Sequence, residues 1–162
     1  MNSVHIGLIK KFGENLNQVR ATSGEINLRI IRKGLPVEEL KTEWFNFYIQ
    51  SWRTVVEAYF GDDTGAKVPA VALLANHKLE QKNYEIKNPF DDDWQVGAIF
   101  GAGRPNGGIA GDAFGEGKLK VDLVVDDEER QRIEGSFSFG YVDASGSEVE
   151  VEAVNFWVEF KK

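Results

Sequence analysis

The stretch SEVEVEAVNFWVEF, residues 147–160, alternates apolar and polar side chains with a period of two, which is typical of a β-strand with one buried face. The alternation changes phase part-way: apolar side chains occupy odd positions up to Ala153 and even positions from Val154 onward. A regular strand would expose one of these sets, because a one-residue slip moves every side chain to the other face. The sequence therefore predicts a β-bulge or bend near Ala153–Asn155.

Two earlier stretches alternate in the same way. KLKVDLVV (118–125) and RIEGSFSFGYV (132–142) each place apolar side chains or glycine mainly on one face and polar side chains on the other. DDEERQ (126–131) separates these two stretches, and VDASGS (142–147) connects the second of them to the stretch at 147–160. Both connections are rich in turn-forming residues. This pattern predicts a three-stranded antiparallel meander at the C-terminal end.

Shorter apolar runs fill the middle of the chain, and turn-forming residues between them favour strands over helices. Aromatic side chains on both faces of one run, TEWFNFYIQSW, indicate a strand that is covered on both sides or that lines a cavity. The runs are GEINLRIIR (24–32), TEWFNFYIQSW (42–52), TVVEAYF (54–60), VPAVALLA (68–75), NYEI (83–86) and QVGAIF (95–100).

The first twenty residues follow a different period. Leu8, Phe12, Leu16 and Val19 have helical spacing, which predicts a short N-terminal helix. Long crossover helices are not predicted elsewhere, and this disfavours a parallel sheet. The predicted fold class is mainly β: an antiparallel β-sandwich or flattened barrel of about eight strands with a short N-terminal helix, in a single domain over residues 1–162.

The charge balance bears on the partners that the chain can attract. Nineteen basic residues against 26 acidic residues give a net charge of -7. Nucleic acids and anionic membranes repel such a surface, so both are unlikely partners, whereas a basic protein would be attracted. There are no cysteines, which excludes disulfides, thiolate metal sites and cysteine nucleophiles.

The first residues bear on localisation. The apolar run from Val4 to Ile9 is short for a signal peptide, and the lysines follow it instead of preceding it. A cytoplasmic protein is therefore the default expectation. Export by a route that uses no signal peptide stays open.

An aspartate cluster stands out in NPFDDDW, residues 88–94. Asp91, Asp92 and Asp93 follow a proline and precede Trp94. Aspartate often hydrogen-bonds its own backbone in turns, so the sequence favours a solvated turn that Trp94 anchors to the core. As an exposed loop, the same stretch is also a candidate for ligand binding.

The alternative for this cluster is a calcium site. Calcium takes six to eight oxygen ligands, which loops of a β-rich domain could supply together. Asp91 and Asp93 are the candidate ligands here, with Asp62 from another loop. Calcium is the only cofactor that the sequence suggests.

A glycine-rich segment, GAGRPNGGIAGDAFGEG (101–117), matches neither the dinucleotide-binding nor the P-loop pattern. Its composition predicts a long mobile surface loop, and such loops are often functional. We therefore group it with the loop at 88–94 as ligand-binding loops, with Arg104, Asn106 and Asp112 as its polar candidates.

An acidic strip runs along the last strand-like stretch. Glu148, Glu150 and Glu152 share one face of it. They form either an ordinary solvated face or a docking face for a basic protein.

Catalytic patterns do not stand out. His5 and His77 lie in no recognisable catalytic motif, and the spacing of the acidic residues singles out no pair for hydrolysis. The sequence therefore favours a non-enzymatic binding protein whose end loops hold a protein partner or a small ligand. The alternatives are an acidic immunity- or inhibitor-type protein that neutralises a basic toxin or enzyme, and a calcium-dependent, lectin-like carbohydrate-binding module. A homodimer could form through an edge strand.

Overall fold

The computed structural model describes residues 4–6, 22–42, 44–61, 66–104 and 108–162. Within these ranges the chain forms twelve β-strands and no helix, so none of the described residues belongs to a helix that could span a membrane. The strands are β1 (Val4–Ile6), β2 (Thr22–Arg32), β3 (Glu38–Lys41), β4 (Trp44–Gln50), β5 (Arg53–Tyr59), β6 (Val68–Ala75), β7 (Asn83–Ile86), β8 (Val96–Arg104), β9 (Gly108–Gly111), β10 (Glu116–Asp126), β11 (Arg130–Val142) and β12 (Glu148–Lys161).

All of these strands belong to one sheet. Hydrogen-bonded neighbours follow the order β3-β2-β12-β11-β10-β7-β8-β6-β5-β4, while β9 pairs with β8 and β1 pairs with β9. The pairings are antiparallel except for the short contact between β7 and β8, where Ile86 lies opposite Val96. The prediction of a mainly β, antiparallel fold is confirmed.

The predicted number of strands was too low. The additional strands β1, β3 and β9 have three or four residues each, and alternation cannot be recognised over so short a length. The predicted N-terminal helix falls mainly on residues 7–21, which lie outside the described residues. Val4–Ile6 within the same segment forms β1.

The sheet curls into a half-barrel, and its inner face holds the main hydrophobic core. Phe47 of β4 and Ile26 of β2 share this core although their strands lie near opposite ends of the strand order. Gln131 of β11 bridges to β4: its carboxamide accepts a hydrogen bond from the Ile49 N–H (3.0 Å) and donates one to the Ile49 carbonyl (2.7 Å). One curled sheet therefore surrounds the core, which is closer to the predicted flattened barrel than to two stacked sheets.

The C-terminal meander and its bulge are confirmed. β10, β11 and β12 pair antiparallel in sequence order. Between Ala153 and Phe156 the pairing of β12 with β11 shifts by one residue, so that Val154 and Asn155 together correspond to the single residue Ser136 of β11. Ala153 and Phe156 are both buried as a result, whereas Val154 stays 64% exposed.

The strands differ in how many of their faces are buried. On β4, β5, β6 and β8 a second hydrophobic cluster covers the outer face, and we call these the doubly covered strands. On β2, β10, β11 and β12 the outer-face residues are mostly exposed or half-buried, and we call these the singly covered strands. TEWFNFYIQSW contains β4, and its prediction as a strand covered on both sides is confirmed: Phe47 faces the inner core and Tyr48 the outer cluster.

The prediction that residues 101–117 form a long mobile loop was wrong. β8 continues through Arg104, β9 occupies Gly108–Gly111, and β10 begins at Glu116. The glycines serve close packing of backbones here, because a Cβ atom at Gly101 would collide with the Ala110 carbonyl. A high glycine content therefore does not indicate flexibility where a neighbouring strand packs directly against the glycine backbone.

The strand β3 is one end of the sheet. It is a four-residue edge strand on which Glu38, Glu39 and Lys41 are exposed. Short, charged edge strands resist pairing with another copy of the sheet. A homodimer through an edge strand stays a prediction.

Candidate functional site

A groove of about 770 Å³ lies at the end of the singly covered strands where β10 and β12 begin and where β2 and β11 end. The short segment between β9 and β10 and residue Asn88 complete its wall. We call it the acidic groove. Its lining residues are Ile31, Lys33, Asn88, Ala113, Phe114, Glu116, Gly140, Tyr141, Val142, Glu148, Val149 and Glu150.

Strand alternation places the glutamates in this groove. Val149 and Val151 point into the core. Glu148 and Glu150 alternate with them along β12 and therefore point outward. Gly140 of β11 lies opposite Glu150. Because Gly140 has no side chain, the Glu150 carboxylate lies across it, with Oε2 2.9 Å from the position that a Cβ atom would occupy.

The acidic groove has an excess of negative charge. Glu116, Glu148 and Glu150 face one lysine, Lys33, and none of these four side chains takes part in an ion pair with a described residue. Partial burial raises the pKa of Glu150, and the neighbouring Glu152 carboxylate raises it further. The fold therefore holds a partly buried carboxylate that forms no ion pair with a described residue.

Glu152 differs from the other two glutamates of the predicted acidic face. Its Oε1 lies 2.6 Å from Nη1 of Arg29 on the adjacent strand β2. Glu148 and Glu150 line the groove, and Glu152 does not. The strip that looks uniform in the sequence is thus divided into two open carboxylates and one paired carboxylate.

Part of the groove lining and its surroundings is apolar. Phe114 is half-buried, and its ring meets the ring of Phe90 edge-on at a centroid distance of 6.1 Å. Phe90 is 81% exposed and Val142 is 53% exposed. The Asn88 side chain holds the turn by accepting a hydrogen bond from the Phe90 N–H at 3.0 Å. The two loop regions that the sequence grouped together therefore meet at this groove.

The aspartate cluster forms a turn beside the groove. Asp91, Asp92 and Asp93 are exposed, and the Asp91 N–H donates to the Asn88 carbonyl at 2.9 Å. Asp93 lies 2.6 Å from Nζ of Lys87, and this hydrogen bond lowers the pKa of the Asp93 carboxyl. Trp94 is half-buried.

The structure gives the calcium hypothesis no further support. Asp93 is already paired with Lys87, and Asp62 lies outside the described residues. Across the described part of the chain, no group of three or more histidine, aspartate or glutamate side chains is arranged to hold a metal ion. Calcium binding stays a prediction.

Two of the other predicted loop residues, Arg104 and Asp112, do not line the groove. Arg104 is exposed at the end of β8, and Asn106 lies outside the described residues. Asp112 accepts a hydrogen bond from the Ala144 N–H at 2.9 Å, which ties the β9–β10 connection to the β11–β12 turn. Asp112 therefore has a local structural contact in this fold.

Sequence reasoning missed Lys33, Glu116, Phe114 and Val142 as groove residues. Glu116 and Phe114 belong to the glycine-rich segment, but no motif distinguishes them from their neighbours. Lys33 is distant in sequence from Glu148, and only the pairing of β2 with β12 brings the two strands together. No signal in a single sequence specifies that pairing.

A buried polar cluster on the doubly covered strands was also missed. Glu57 of β5 is fully buried, and the Tyr59 hydroxyl donates a hydrogen bond to its Oε2 at 2.6 Å. Burial raises the pKa of Glu57 to about 7, although hydrogen bonds from Tyr59 and Asn46 oppose this rise. The Oε1 atom of Glu57 has no hydrogen-bond partner among the described residues. A single glutamate inside the apolar run TVVEAYF was the available signal.

Comparison with known proteins identifies no family. No protein-family model and no curated protein matches the chain. Among solved structures, the chain is similar to a polyisoprenoid binding domain from Saccharophagus degradans implicated in plant cell wall breakdown. The two are 12% identical with a TM-score of 0.40, over 86% of this chain and 95% of that chain. Similarity at this level carries no conclusion about the ligand.

Proposed function

We propose that this protein is a non-enzymatic binding protein that holds a cationic ligand in the acidic groove. The observation that carries the proposal is the set of three carboxylates, Glu116, Glu148 and Glu150, which have no ion-pair partner among the described residues and lie beside apolar side chains. A ligand with a positive charge and an apolar part complements both halves of this lining.

The state of Glu150 supports the choice of a cation. A partly buried carboxylate near a second carboxylate is disfavoured in its charged form, which is why its pKa is raised. A bound cation removes this penalty, so part of the binding free energy comes from relief of an unfavourable state of the free protein. A negatively charged ligand would make the penalty larger.

The immunity- or inhibitor-type alternative uses the same surface. A protein that neutralises a basic toxin or enzyme would present unpaired carboxylates to it, and the net charge of -7 would speed the encounter. This alternative therefore differs from the main proposal in the size of the ligand and not in the residues that bind it.

A pair of matched probes tests the proposal. We expect 2-phenylethylammonium to shift the backbone amide NMR signals of Phe114, Val142 and Glu150, because it combines an ammonium group with an aromatic ring. The control 3-phenylpropanoate has the same ring and a negative charge, and it should leave these signals unchanged. Equal shifts with both probes, or no shift at the groove with either probe, would overturn the proposal.

Two double variants give the matching protein controls. Glu148→Gln/Glu150→Gln should abolish the shifts caused by 2-phenylethylammonium. Glu128→Gln/Glu129→Gln makes the same change in net charge in the β10–β11 turn, away from the groove, and should preserve them. Loss of binding in both variants would show a general effect of protein charge instead of a site.

A further inference from the structure

We infer that the natural occupant of the acidic groove is an extended segment of a basic protein, with positively charged side chains at positions i and i+2. This inference rests on the proposed function, since it specifies the partner of the same groove. The arrangement of the carboxylates in two rows across the sheet carries it.

The first row forms a cradle for one cation. Glu116 of β10 lies opposite Gly140 of β11, which lies opposite Glu150 of β12. The two glutamates are therefore two strand spacings apart, about 10 Å, with a glycine between them. The Glu150 carboxylate lies across Gly140, so an ammonium or guanidinium group between Glu116 and Glu150 has a carboxylate on either side, and Gly140 adds no side chain that would block it.

The second row lies one step along the same strands. Val142 of β11 pairs with Glu148 of β12. Two residues along a strand correspond to about 7 Å, which separates this row from the Gly140 row. Val142 is 53% exposed, so the aliphatic stem of a lysine or arginine can pack on it while the charged end reaches Glu148.

The spacing of the rows selects an extended chain. In an extended polypeptide, side chains i and i+2 point to the same side and are also about 7 Å apart. The first cation therefore meets Glu116 and Glu150 when the second meets Glu148. Adjacent cations at i and i+1 point to opposite sides and cannot use both rows.

The extent of the groove across the strands also favours a polypeptide over a single small amine. The lining reaches from Ile31 of β2 and Lys33 just after it across β12 and β11 to Glu116 of β10. Four adjacent strands span about 14 Å between the outer two. One ammonium group satisfies one row of such a surface, whereas a short segment that runs along β11 and β12 crosses both rows.

Two peptides of identical composition test the inference. We expect acetyl-Thr-Arg-Thr-Arg-Thr-amide to bind the wild-type protein about fivefold more tightly than acetyl-Thr-Arg-Arg-Thr-Thr-amide in isothermal titration calorimetry at low salt, because only the first peptide adds a second ion contact. Glu116→Gln/Glu150→Gln should lose binding of the first peptide. Glu128→Gln/Glu129→Gln should retain it.

The outcomes separate this inference from the proposed function. Equal affinity for the two peptides, with both lost in Glu116→Gln/Glu150→Gln, would overturn the extended segment while the cation-binding groove stands. The same conclusion follows if neither peptide binds but 2-phenylethylammonium still maps to the groove. If neither the peptides nor the amine bind there, both the inference and the proposed function are overturned.

Discussion

The doubly and singly covered strands share one core but differ on their outer faces. On β4, β5, β6 and β8 the outer face is buried and mainly apolar, with Tyr59, Ala72 and Ile99 among its members. On β2, β10, β11 and β12 the outer face carries charged side chains such as Arg29, Glu150 and Lys118. The same inner face therefore supports two different kinds of outer surface.

This difference assigns different roles to two parts of the same sheet. The buried outer face contributes to stability, since apolar area removed from water stabilises a fold. The exposed outer face is not required for burial, so it can hold unpaired carboxylates and a groove. The candidate site lies at the end of the singly covered strands for this reason.

The largest expected effect comes from truncating an outer-face residue on each kind of strand. Ile99→Ala removes a fully buried side chain from a doubly covered strand and should lower the free energy of unfolding by about 2–5 kcal/mol. Val154→Ala, on β12, removes a side chain that is 64% exposed and should change it by less than about 0.5 kcal/mol. Urea unfolding measures both, and similar losses for the two variants would contradict the comparison.

The second prediction concerns the buried carboxyl of Glu57. Its pKa in the folded protein is about 7 against an ordinary value of 4.5, so the unfolded chain releases this proton at lower pH than the folded protein does. Stability from this group is therefore complete below pH 4.5 and is lost as the pH rises towards and past 7, by about 3 kcal/mol in all. Glu57→Gln should remove that loss and gain stability relative to wild type between pH 5 and pH 8.

Thermal melts across this pH range give the measurement. Tyr59→Phe provides a second variant, because it removes the hydrogen bond that favours the charged form of Glu57. It should deepen the loss of stability at high pH, opposite to Glu57→Gln. Parallel pH profiles for wild type and Glu57→Gln would show that Glu57 does not titrate as its burial implies.

A smaller effect is expected at the bridge between β11 and β4. Gln131→Met keeps the approximate side-chain shape but removes both hydrogen bonds to Ile49. It should lower the free energy of unfolding by about 1–3 kcal/mol, since backbone groups of Ile49 lose their partners in a buried setting. Hydrogen exchange at the Ile49 amide should accelerate more than exchange at Phe139 in the core. Equal acceleration of exchange at both amides would indicate global destabilisation instead of local separation of β4 from β11.

A small effect on stability, combined with a loss of binding, is expected at the floor of the groove. Gly140 has ordinary backbone geometry for a side chain, because it is not among the glycines with positive φ. Gly140→Ala should therefore change the free energy of unfolding by less than about 1 kcal/mol. The added Cβ atom would displace the Glu150 carboxylate, so peptide affinity should fall severalfold in calorimetry. Unchanged affinity would show that binding does not depend on the position of the Glu150 carboxylate over Gly140.

Sequence determined what depends on neighbouring residues in the chain. The period-two pattern of residues 118–160 specified the meander, and the phase change at Ala153 specified the bulge, because side-chain direction in a strand follows from local geometry. The aromatic side chains on both faces of the TEWFNFYIQSW run likewise indicated burial on both sides. The placing of Glu148 and Glu150 on one face also followed from alternation alone.

Tertiary structure decided what depends on strands that are distant in sequence. Glycines at 101–117 indicated a loop, but close approach of Gly101 to Ala110 makes the segment part of the sheet. Pairing with β2 brings Arg29 into an ion pair with Glu152, while Glu150 lies opposite Ile31 on the same strand and has no ion pair with a described residue. Alternation specifies the face on which a side chain lies, whereas the identity of its neighbours follows from strand order and register, which long-range packing sets.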